Sequence, residues 1–278
     1  VGVSHVLGVG GRDLSEAVGG LATLDALAAL DADPATERVM VVSKPPAPSV
    51  AATVEAAAAT LSVPVRSAVL SAETPDLSAA VEGLLRDMGR DVPVWPSRPG
   101  AAEAPAPGAV LKGLYSGGTL ADETMLLAAP ALGEIRSNTP LSPHLHIGTD
   151  LFAPGHVVID FGDDALTVGR AHPMIDPTLR LEAIAAVAAS DEPAVLLLDV
   201  VLGYGADPDP AGALVPALSA ARDAAERALP VVIALVGTEG DPQGWSRQAD
   251  ALAAAGAHVF ASNAAATRYA LDLLGASS

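Results

Sequence analysis

Cysteine is absent from this chain, which excludes a disulfide framework and thiolate metal sites and fits a reducing, cytoplasmic location. Aromatic residues supply only 3% of the sequence although half of it is apolar, so Ala, Val and Leu must do the packing. Such small pieces suit helices lying close on a sheet. Lysine occurs only at Lys44 and Lys112, and acids outnumber Lys and Arg 33 to 15, for a net charge of −18. That balance argues against a nucleic-acid partner, because phosphate backbones reward cations. The acidic surplus reads as a solubility feature, and the preference for Arg over Lys reads as the mark of a GC-rich genome. No run has the length of a membrane-spanning helix without a charge or a breaker, so no membrane partner is expected. Residues 1–11 lack the basic lead and cleavage site of a secretory signal. The chain begins with Val1, as expected of a fragment or of a sequence missing its first residues.

What remains is a regular alternation. Its 278 residues allow two domains of ordinary size. In the first part, strands are expected at 4–9, 38–42, 63–70 and 92–95. Helices are expected at 20–32, at 49–61 with Ser49 as cap, and at 77–88. A Pro, Ala and Gly-rich stretch, 97–108, reads as a linker between domains 1–96 and 109–278. The alternation then restarts, with strands at 110–115, 156–161, 194–201, 231–236 and 258–261 and helices between and after them. The runs at 157–160, 194–201 and 231–236 are apolar on both faces, as parallel strands covered by helices must be. The expected fold is therefore α/β: two flavodoxin-like, doubly wound parallel-sheet domains, the first lacking its initial β-α unit.

In such sheets ligands bind outside the carboxyl ends of the strands. The chemically unusual residues nearly all follow a strand. Gly10, Gly11, Arg12 and Asp13 follow the first; Ser43 and Lys44 follow the second. Ser116, Gly117, Gly118 and Thr119 follow the first strand of the second domain. The Gly-Gly pairs read either as helix starts that cradle an anion or as tight turns, Thr119 then being a helix cap. Arg12 and Lys44 read either as cations for a phosphate or carboxylate, or as ion-pair partners of Asp13. Residues 162–180 form a long strand-to-helix loop dense in ionisable groups. There His172 suits a general acid or base, Arg170 an anion and Asp176 the orientation of the loop. Asp160, Asp163, Asp164 and Asp199 are alternatively Mg²⁺ ligands or turn caps, and no metal is expected. His144 and His146 read as part of a loop, His5 and His258 as structural strand residues. A phosphate-loop NTPase lacks its Lys-Ser/Thr ending here, and no Gly-x-Ser-x-Gly elbow supports a serine triad.

Several of these stretches carry a resemblance to the FdrA family. They are residues 2–14, Val42-Ser43-Lys44-Pro45-Pro46, residues 113–120, residues 159–164, residues 167–180 and Leu197-Leu198-Asp199-Val200. FdrA proteins are similar to succinyl-CoA synthetase, joining an α-like part to a β-like carboxyl-terminal domain. The resemblance implies two ligase domains of that type, a hetero- or homo-oligomeric complex, and a small anionic substrate.

Two departures accompany the resemblance. Synthetases of that type pass phosphate through a histidine of the α-like domain, yet residues 10–107 contain none. The amino-terminal CoA-binding domain expected of the family is not in this sequence either. Some FdrA relatives resemble a subunit of oxamate carbamoyltransferase, used in allantoin breakdown, which needs an anion cradle and no phosphohistidine. The reading favoured here is thus a carbamoyltransferase-like subunit that binds phosphate or carbamoyl phosphate. The alternatives are an ADP-forming acyl-CoA synthetase using CoA and ATP, and a non-catalytic scaffold subunit.

Overall fold

A computed structural model describes residues 2–148 and 150–276. The chain forms two compact units, residues 1–92 and 93–278. Both are α/β, with strands mostly parallel. Among the described residues no helix is long and apolar enough to cross a membrane.

The first unit contains α1 (Leu21–Ala32), β1 (Val39–Ser43), α2 (Pro48–Ala58), β2 (Val65–Val69) and α3 (Leu77–Asp87). β1 and β2 pair in parallel, Val39 opposite Val65, with α2 as the crossover. Leu27, Val39, Val50 and Val54 form the buried core. The strand expected at 4–9 does not form: the segment joins no ladder, and Val3, Val6 and Leu7 are exposed. Alternating apolar residues make a strand only where a neighbour takes their backbone bonds. His5 is accordingly an exposed side chain 3.9 Å from Asp33 rather than a strand residue. The cap of α2 is Ala47, not Ser49, because Pro48 takes the first helical position, where its missing N–H costs nothing.

The second unit holds β3 (Ser97–Arg98), β4 (Val110–Tyr115), α4 (Gly118–Leu132), β5 (Arg136–Ser137), β6 (Val157–Asp160), α5 (Asp164–Thr167), α6 (Thr178–Ala189), β7 (Ala194–Val201), α7 (Pro210–Ala224), β8 (Val231–Val236), α8 (Trp245–Ala254), β9 (His258–Phe260) and α9 (Asn263–Leu273). The sheet runs β3-β9-β8-β7-β4-β6-β5, all parallel except β3. Counting the five principal strands in chain order gives 2-1-3-4-5, the flavodoxin-like arrangement. Successive side chains point to opposite faces. Leu196, Leu198, Ile233 and Leu235 pack under α6, α7 and α8, while Val195, Leu197, Val232 and Ala234 pack under α4 and α9.

The first two residues of the stretch expected as a linker join this second sheet. Ser97 and Arg98 pair with β9, and no strand forms at 92–95, where Pro93 and Pro96 remove ladder donors. His258 fastens the next turn: its Nδ1 accepts from Gly100 N–H at 3.2 Å and its Nε2 lies 2.9 Å from Ala101 O. Lys112 is buried within β4 and holds the loop before β6. Its Nζ donates to Ala153 O and Gly155 O, each at 2.9 Å, and pairs with Glu192 at 2.8 Å.

His156 lies beside that pair, and its Nδ1 accepts from Leu111 N–H at 3.0 Å. Burial, reinforced by the Lys112 charge, holds its pKa below the ordinary 6.5. The unfolded chain therefore takes up this proton at a higher pH than the folded one. The stabilisation is complete above pH 6.5 and is lost as pH falls through the depressed folded value. A melting series from about pH 8 to pH 5 should show this loss, and His156→Asn should flatten it. A wild-type profile already flat across that window would contradict the assignment.

Candidate functional site

In a 2-1-3-4-5 sheet the crossovers leave the first strand in opposite directions, opening a crevice between the ends of the first and third strands. Here those are β4 and β7, and the crevice carries Ser116, Gly117 and Asp199. Asp199 is fully buried on β7. Its Oδ1 accepts from Ser116 N–H at 2.7 Å and Ser116 Oγ at 2.9 Å, and its Oδ2 accepts from Gly117 N–H at 2.8 Å. Arg180, from α6 and only 4% exposed, donates through Nη1 to both Oδ1 and the backbone oxygen of Asp199 at 2.8 Å. Burial lowers the Arg180 pKa, against the opposing pull of Asp199. An internal carboxylate thus takes the first two N–H groups of the turn in which an external anion was expected. Gly118 and Thr119 follow, half-exposed at the start of α4, and their N–H groups meet no protein acceptor among the described residues. Gly117 is the cap residue and Thr119 lies inside the first turn, so Thr119 is not the helix cap.

His172 reaches the same edge. A methyl group built on Gly162, just after β6, would lie 2.6 Å from Ser116 O, 2.8 Å from His172 Nε2 and 3.1 Å from Asp160 Oδ1. Gly162 is what allows these three groups to converge. His172 Nδ1 accepts from Met174 N–H at 3.3 Å, so in the neutral ring Nε2 carries the proton and faces the turn. Asp176 does not touch the histidine with its carboxylate. It receives Thr178 N–H at 3.1 Å and Thr178 Oγ1 at 2.5 Å, which hold its pKa low and fasten the loop to α6. Arg170 is exposed on the outer part of the loop, where its charge is felt by Asp176.

Three of the four aspartates considered for a cation serve separate backbone groups, and the fourth, Asp164, opens α5. Asp163 caps α5 through Ala165 N–H, Asp160 receives Gly162 N–H, and Asp199 holds the β4–α4 turn. Among the described residues no three His, Asp or Glu side chains are grouped to hold a metal. On the far side of the crevice two buried glutamines shape the loop after β7. Gln243 accepts from Gly203 N–H at 3.2 Å and donates to Gly203 O and Asp207 O. Gln248 accepts from Ala211 N–H and donates to Asp209 at 2.9 Å. Asp207 N–H in turn donates to Met174 O at 2.8 Å, linking this loop to the His172 loop. Beneath the link lies a cavity of about 20 Å³, walled in part by Ser116, Met174, Arg180 and Asp207 and large enough for one water.

In the first unit the Gly-Gly pair does not open a helix. Gly10 sits at φ 88° and begins a run of turns, and α1 starts after Gly20. Asp13 is buried and receives Ala22 N–H, Thr23 N–H and Thr23 Oγ1, so it caps α1. Leu14 O accepts from Ala47 N–H at 3.0 Å, drawing the turn with Gly10, Gly11 and Arg12 toward the end of β1 with Ser43 and Lys44. Sequence reasoning passed over Arg180, Gln243 and Gln248. The available signal for the first was an arginine on the apolar side of a helix packed against the strand that carries Asp199.

The Gly162 convergence is testable. Gly162→Ala should cost about 1–3 kcal/mol, because the added methyl meets a backbone oxygen that cannot yield. It should also displace His172, visible as a shift of its ring resonances in an NMR titration. An unchanged melting temperature with unchanged His172 resonances would refute this packing.

Comparison with known proteins agrees with this architecture. A family model described as CoA-ligase matches residues 114–273. An uncharacterized protein, YahF of Escherichia coli (strain K12), is 35% identical over 285 residues, which cover 94% of this chain and 55% of the relative. The chain therefore spans about half the length of that curated relative. The matched residues run from β4 to the last turn of α9 and take in the crevice closed by Asp199, and the chain belongs to the CoA-ligase family.

Proposed function

We propose that this chain is the ligase-type part of an FdrA-like acyl-CoA synthetase, its first unit corresponding to the α-like and its second to the β-like ligase domain. The overall reaction would join a small carboxylate to CoA, with ATP converted to ADP and phosphate. The observation that carries the reading is the family match over the very sheet whose β4–β7 crevice has a helix start with free N–H groups. A phosphoryl group fits the N–H groups of Gly118 and Thr119, where the partial positive charge of α4 favours it. A ligand as large as CoA does not fit the cavity of about 20 Å³, so its bulk would lie over the open edge or against other parts of the protein.

In this reading His172 Nε2 holds or moves a proton at the substrate, Asp176 anchors its loop, and Arg170 attracts anions from outside. Gly10, Gly11, Arg12, Ser43 and Lys44 would form a second anion-handling cluster in the first unit. The phosphohistidine of the synthetases would come from a residue outside 10–107 or from another chain, which makes other subunits or further copies of this chain the natural partners. The histidine-free first unit also favours a second reading, the transfer of a carbamoyl group between oxamate and phosphate.

The two readings consume different substrates. Incubated with ATP, CoA and a panel of small carboxylates, the protein should release ADP, phosphate and acyl-CoA in equal amounts. His172→Gln should slow this by about a hundredfold or more while leaving the melting temperature near that of the wild type. Turnover of oxamate and carbamoyl phosphate without CoA, and none with ATP and CoA, would replace the ligase reading by the carbamoyl one.

A further inference from the structure

We infer that Arg180 and Asp199 set the charge of the anion site at the start of α4, Asp199 weakening anion binding and Arg180 restoring it. The inference rests on the proposed phosphoryl site at Gly118 and Thr119. Asp199 presents a full negative charge one residue away from those N–H groups, holding Gly117 N–H at 2.8 Å. A carboxylate so placed repels an incoming phosphate, and burial makes the repulsion long-ranged and insensitive to salt. Arg180 cancels it through the other carboxylate oxygen, Oδ1, at 2.8 Å.

A second observation points beyond a closed structural pair. Arg180 is buried, its Nε has no hydrogen-bond partner, and its side chain lines the cavity that Ser116 also walls. A guanidinium satisfied wholly by its own fold would not leave a buried donor unused. Asp207 lines the same cavity. Without the guanidinium the Asp199 carboxylate would face an anionic substrate uncompensated by the ion pair that Arg180 makes with it.

The pair thereby makes a prediction that a purely structural ion pair does not. Both partners matter for stability, so removing either lowers the melting temperature. Their effects on anion affinity should nevertheless have opposite signs. Calorimetric titration of folded protein with inorganic phosphate reads this directly. Arg180→Gln should weaken binding about tenfold, Asp199→Asn should tighten it by a similar factor, and Arg180→Lys should stay within about threefold of the wild type. If Arg180→Gln does not fold, the Asp199→Asn and Arg180→Lys pair decides. A structural role predicts weakening in both, whereas the charge role predicts tightening in one and retention in the other. Wild-type binding with Arg180→Gln and Asp199→Asn shifted in the same direction, or not at all, would overturn the inference while leaving the anion site in place. No phosphate binding by the wild type would remove the anion site itself.

Discussion

One buried carboxylate organises the second unit. Asp199 joins three elements distant in sequence: β7, which carries it, the β4–α4 turn, and α6 through Arg180. Replacing either charge alone would strand the other in the interior, at a cost of about 3–5 kcal/mol. The intact pair need not add much net stability, since desolvation offsets most of its attraction. Its consequence is geometric. The Ser116 and Gly117 amides can point at Asp199 in one arrangement, and that arrangement directs the start of α4 toward the crevice.

The surrounding polar contacts extend the same logic. Buried groups must find partners, and here the partners are mostly backbone atoms of the loops that border the crevice. Gln243 and Gln248 hold the loop after β7, Asp176 holds the His172 loop, and the Asp207–Met174 bond links the two. Lys112 and His258 act likewise at positions away from the crevice, the former on the loop before β6 and the latter on the turn after β3. The loops carrying the candidate chemistry are thus shaped by side chains that take no part in it. The match to the CoA-ligase family takes in this edge, and the N–H groups of Gly118 and Thr119 at the start of α4 meet no protein acceptor among the described residues.

Much of the fold was legible in the amino-acid order. β7, β8 and α6 lie where periodicity put them, because long apolar runs between breakers leave few alternatives. Membership of the CoA-ligase family was legible too, from the stretches that carry the resemblance to succinyl-CoA synthetase-like proteins. The errors share a cause. Residues 4–9 look like a strand, and 97–98 look like the start of a linker, but each outcome depends on whether another strand is available to pair. Ser97 and Arg98 have β9 as a neighbour, whereas residues 4–9 join no ladder.

The sequence by itself determined the alternation of strands and helices, the two-sided burial of the parallel sheet and the concentration of unusual residues after strands. All of these follow from local periodicity, hydrophobicity and turn chemistry. Tertiary structure alone decided which polar groups meet. Ser116 and Asp199 are 83 positions apart, and their contact depends on the strand order that places β4 beside β7. Local pattern is silent about partners across a sheet. The same Gly-Gly turn that reads as an empty anion cradle therefore proves, once folded, to be half filled by the protein's own carboxylate.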